Sequence, residues 1–116
     1  MHRLAFFLLL AFGSLAHAEE IAASAESDAC GKEIQLIDRQ VQKLEKQKQV
    51  HQDQARKYQK LGDEWQYSTG DIQDAYANWG KADQERRKAI EIQQQIDQLL
   101  QRKQRIIQFY PELYQP

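Results

Sequence analysis

Residues 60–81 read KLGDEWQYSTGDIQDAYANWGK. Gly62, Gly70 and Gly80 fall here, with both tryptophans, Trp65 and Trp79, and with Tyr67 and Tyr76. Long polar segments rich in Gln, Lys and Arg flank the stretch on both sides. Gly70 can adopt a positive φ after one helix, and Thr69 or Asp71 can cap the next, so the chain is expected to reverse at about residues 68–71. One uninterrupted helix is the rival reading, and Gly80 offers a second place to break.

Outward from the turn, helical spacing runs in both directions. On the N-terminal side Ile34, Ile37, Val41, Leu44, Lys48, His51, Ala55, Tyr58, Gly62 and Trp65 alternate at steps of three and four. That spacing puts them on one helix face. On the C-terminal side Ile72, Ala75, Trp79, Ala82, Arg86, Ala89, Gln93, Ile96, Leu100, Lys103, Ile107 and Tyr110 do the same. Ile92, Leu99 and Ile106 widen this second stripe beyond a two-stranded seam, which suggests contact with more than one helix. The spacing predicts helices over about 28–67 and 72–110, starting at Asp28 as an N-cap and stopped by Pro111. Arg102, Lys103 and Arg105 suit the C-terminal end of the second helix, and residues 111–116 read as an extended tail.

A turn at residue 70 makes residues whose numbers sum to about 140 face each other. Ile34 then meets Ile106, Leu44 meets Ile96, Tyr58 meets Ala82 and Trp65 meets Ala75. Lys48 and His51 face Gln93 and Ala89 in a wetter middle. The fold class is therefore all-α: a long antiparallel helical hairpin with coiled-coil character. Each buried aliphatic side chain contributes only about 1.5–3 kcal/mol, against about 1–2 kcal/mol to order each residue. Two helices alone have little core, so self-association into a four-helix or larger bundle is expected.

Residues 1–18 read as a signal peptide. His2 and Arg3 precede an apolar run over 4–15, and Ala16-His17-Ala18 matches the small-x-small cleavage pattern. A membrane anchor is the alternative, but the run is shorter than the ~20 residues a span requires. The expected product is exported, periplasmic or secreted, with no transmembrane span after cleavage. Residues 19–27 (EEIAASAES) read as a flexible acidic leader.

The chain has 16 basic and 17 acidic residues, a net charge of −1. That near balance argues against a general nucleic-acid binder, and no nucleic acid is expected as a partner. The charges are banded. Residues 19–38 and 61–85 each carry six acids against one Lys, whereas 39–60 carry seven cations and 86–105 carry six, each against two acids. Folding at residue 70 lays the basic blocks side by side as a stalk with an acidic tip. An ordinary solvated surface explains this, or the stalk meets an acidic partner, an anionic polymer or an acidic lipid surface.

No catalytic constellation, cofactor loop or metal-ligand set is read from the residues, and a non-enzymatic role is expected. Cys30 is the single cysteine and a candidate for an intermolecular disulfide in an oxidising compartment. Tyr58, Trp65, Tyr67, Tyr76 and Trp79 gather near the tip as partner-binding candidates. They either pack the hairpin end or, with Tyr67 and Tyr76 off the seam, expose interface anchors.

Gly70-Asp71-Ile72, Ala75, Trp79 and Lys81-Ala82 resemble the second helix of a tetratricopeptide repeat, and Leu61-Gly62 with Trp65 its first. The match covers 61–82, with one residue too many between its halves, no second copy and no closing Pro. The resemblance implies a peptide- or protein-binding adaptor. The residues support an exported protein acting through protein contacts, in a structural or adaptor role. The alternative is a periplasmic holdase-type chaperone that binds clients along its basic arms.

Overall fold

The computed structural model describes residues 2–67 and 72–114, with side chains from residue 24 onward. It contains helix α1, His2–Tyr67, helix α2, Ile72–Phe109, and a short 3-10 turn, Pro111–Leu113. The reversal read at 68–71 lies outside the described residues. So do the side chains of the signal sequence read at 1–18.

Contacts between the arms establish that α1 and α2 are antiparallel. Ser27 bonds to Glu112, Asp38 to Lys103, Lys48 to Gln93 and Asp63 to Trp79. The residue numbers in each pair add to about 140, the register of a hairpin reversing at residue 70. α1 runs on beyond the end of α2, and the whole measures 104 × 21 × 15 Å.

The α1 seam is the predicted one from Ile34 to Gly62. Ile34, Ile37, Leu44, Ala55 and Gly62 are buried, and Val41, Lys48, His51 and Tyr58 are half-buried between them. On α2, Ala75, Ala82, Ala89 and Ile96 are buried. Arg86 and Leu100, although in register, remain exposed. Ile92, Leu99 and Ile106 are half-buried along one flank.

Three expectations are corrected, and the open alternative of a break at Gly80 is decided. Asp28 is no N-cap: α1 is already helical across 19–27 and passes through residue 28 without a break. Gly80 does not interrupt α2. The tail is not extended over 111–113. Tyr110, at φ −130°, leaves the helix before Pro111, whose ring restricts the preceding residue, and Leu113 N–H donates to the Tyr110 carbonyl at 2.9 Å. This turn folds Leu113 back against Gly31, where a Cβ would sit 3.6 Å from Leu113 Cδ2. Finally, Arg102 and Lys103 do not serve the α2 C-terminus. They cross to α1, Arg102 to Glu33 and Lys103 to Asp38, because they lie more than a turn before Phe109.

Candidate functional site

The tip is built on small residues. Gly62 of α1 sits against the Ala75 backbone of α2, and a Cβ at Gly62 would collide with the indole of Trp79. Trp79 covers the glycine and is half-buried. Its Nε1–H donates to Asp63 Oδ1 at 3.0 Å, and Gln59 donates to the same oxygen at 3.1 Å. Gln59 in turn accepts from Arg86 at 2.8 Å. A chain of polar contacts thus holds the indole over the close approach of the two arms at Gly62.

Tyr76 stands one turn away and meets Trp79 edge to face, with centroids 5.6 Å apart and planes at 81°. Tyr76 is 62% exposed, Tyr67 86% and Trp65 41%. The five candidate aromatics therefore divide. Tyr76 and Trp79 form one ring pair. Tyr58 is half-buried beneath the Lys81 ammonium, 5.6 Å from the ring centroid. Trp65 and Tyr67 face solvent. Trp65, set opposite Ala75 by the register, is partly exposed although Ala75 is fully covered, and the last buried seam position on α1 is Gly62. With Trp79 filling the space over Gly62, the large ring on α1 is left outside.

Sequence reasoning missed Ile72, which is exposed beside this surface. It stood in the seam register, and the fade-out of the seam before the turn is the reason it is free. Acidic groups border the rings. Glu64 and Asp74 make no ion pair among the described residues, and Asp63 is engaged only by neutral donors.

Farther down the rod the middle is polar but paired. Lys48 Nζ donates to Gln93 Oε1 at 2.7 Å and lies 2.8 Å from Glu45. His51 lies opposite Ala89 in this register and reaches one turn along α2: its Nδ1 meets Glu85 Oε2 at 2.5 Å, and Lys88 lies on the other oxygen. The His51 hydrogen bond, aided by Lys88, holds the Glu85 carboxyl below its ordinary value of 4.5 against the opposing effect of burial.

At the open end, Ser27 donates to Glu112 at 3.2 Å and the Tyr110 hydroxyl donates to Glu26 at 3.1 Å. The Glu26 carboxylate raises the Tyr110 pKa above its usual 10.0. A groove of about 800 Å³ lies here, lined by Gly31, Ile34, Leu100, Ile107, Leu113 and Tyr114 among others. Cys30 is half-buried and unpaired within the chain. Among the described residues no group of three His, Cys, Asp or Glu side chains is placed to hold a metal ion, and no helix is long and apolar enough to cross a membrane.

No family model, curated protein or solved structure matches this chain. The tetratricopeptide-like residues at 61–82 thus remain a local likeness between two helix ends.

Proposed function

We propose that this is an exported, non-enzymatic helical protein, of the cell envelope or secreted, that works through protein–protein contacts made at its aromatic tip. The observation that carries the reading is the exposure of Trp65, Tyr67, Tyr76 and Ile72 at one end of the rod. Aromatic groups of this kind, rimmed by polar residues, serve as interface anchors. The rod also self-associates in this reading. Its fully covered aliphatic side chains are few, and Leu100 and Phe109 remain exposed toward the open end, leaving apolar surface for further helices. A disulfide between Cys30 residues of two copies belongs to the same reading, and a monomer band on a non-reducing gel would remove it.

The decisive experiment places a photo-crosslinking residue at 67 or 76 and recovers adducts from the native envelope or secreted fraction. A discrete adduct lost in a Tyr67→Ala/Tyr76→Ala double variant that keeps its helicity supports the reading. Adducts that survive the double variant, or none at all, contradict it. A holdase acting along the basic arms is the second reading, favoured by stalk cations that have no acidic partner. Failure to suppress aggregation of an unfolded outer-membrane protein would set it aside.

A further inference from the structure

Helix α1 carries a second stripe on its back. Lys32, Leu36, Arg39, Lys43, Lys46, Val50, Asp53, Lys57 and Lys60 follow one another at alternating steps of four and three, and all nine are exposed. Each lies one or two positions before a seam residue, so the row runs along the side of α1 turned away from α2. It spans about 42 Å at 1.5 Å per residue.

The row is cationic and unneutralised. Lys48, Arg56, Arg86, Lys88, Arg102 and Lys103 all pair with carboxylates. Among the described residues, none of Lys32, Arg39, Lys43, Lys46, Lys57 and Lys60 forms an ion pair or a side-chain hydrogen bond. The one acid in the row, Asp53, is occupied by Gln49 and Arg56. Within the cationic row stand two aliphatic side chains, Leu36 at 61% exposure and Val50 at 57%.

We infer that the back of α1 is a docking face for an anionic lipid surface, on which the rod lies flat. Three features select lipid headgroups over a soluble polyanion. The face is the outer side of a single helix, whose row of cations can lie along a plane and which offers no groove between elements to seat a polymer chain. Leu36 and Val50 gain nothing from a water-soluble polymer but are covered at the headgroup boundary. Five of the six cations are lysines, mobile point charges that suit a fluid array of headgroups, whereas fixed forked recognition of phosphate favours arginine. The attraction is electrostatic and fades within a Debye length of about 10 Å at 0.1 M salt. This inference is independent of the tip: it concerns where the rod rests, not what its aromatics touch.

The test is co-sedimentation of the full chain with vesicles of phosphatidylglycerol and phosphatidylcholine, and with phosphatidylcholine alone. The neutral vesicles measure any binding by the apolar residues 4–15. Wild-type protein should bind the anionic vesicles more tightly, and the difference should vanish at about 0.5 M salt, where charges are screened. A Lys43→Gln/Lys46→Gln/Lys57→Gln/Lys60→Gln variant, altered only at exposed unpaired sites, should lose roughly 1,000-fold in the anionic-specific affinity. Leu36→Ser/Val50→Ser should weaken it several-fold while leaving binding to soluble polyphosphate unchanged. Equal binding to both vesicle types would overturn the inference. So would wild-type affinity in the four-lysine variant with unchanged helicity, or tight polyphosphate binding without vesicle binding.

Discussion

The two halves of the hairpin share one heptad register and use it in opposite ways. Toward the open end the seam holds Ile34, Ile37, Leu44 and Ile96, with Val41, Leu99 and Ile106 half-buried beside them. Glu33–Arg102 and Asp38–Lys103 bridge the arms there. Toward the tip the buried positions are Ala55, Gly62, Ala75, Ala82 and Ala89, and the large rings lie on top of the seam or outside it. Volume in the seam holds the open half together. Smallness in the seam brings the backbones close at the tip and displaces aromatic surface outward. Side-chain size at repeating positions, not the repeat itself, divides the rod into a fastened end and a presenting end.

The largest expected effect comes from breaking the fastened half. Ile96 is the largest side chain that is fully covered, and Ile96→Ala should cost about 2–5 kcal/mol, read as a lowered midpoint in urea by circular dichroism. At the tip the damage comes from adding atoms. Gly62→Val forces Trp79 off its seat and meets the Ala75 carbonyl, with an expected loss of about 1–3 kcal/mol and a red-shifted tryptophan emission. Retained stability and emission would mean the arms are farther apart than described.

A smaller effect concerns the polar middle that joins the halves. Glu85 has a depressed carboxyl pKa, chiefly through His51. Its contribution is therefore present above its ordinary 4.5 and lost as pH falls through the lowered folded value. Glu85→Gln should lower stability at neutral pH and flatten that part of the acid limb in a pH series of melting temperatures. An unchanged limb would show that the pair with His51 is not stabilising. The smallest effect on stability belongs to the exposed rings. Tyr67→Ala/Tyr76→Ala should stay within about 0.5–1 kcal/mol of the parent, since Tyr67 touches no ring and Tyr76 loses only one edge contact. A larger loss would make the presenting end part of the core.

Much of the open half was legible in the residues. Aliphatic side chains at steps of three and four leave one way to bury them, and facing partners such as Lys48 and Gln93 follow from the position of the turn. The tip was less legible. Trp65 lies in register, yet where small residues close the gap between helices a large ring in the same register has no room. Periodicity records position and not the local distance between backbones. The end of the chain was less legible for a related reason. Pro111 stops a helix, but the Leu113 contact with Gly31 depends on what the other arm presents there. The pairing of His51 with Glu85 rather than Ala89 reflects side-chain reach across a turn of helix.

The 38-residue length of α2 sets a reach. At 1.5 Å per residue it carries the aromatic tip about 57 Å from the folded-back tail, on a shaft only 21 by 15 Å across. Whatever fixes the open end thereby fixes the distance at which the tip operates. Removing one heptad from each arm, in register, should shorten that span by about 10 Å with every tip contact intact. If the tip binds as proposed, the hairpin also acts as a gauge that sets the distance at which it does so.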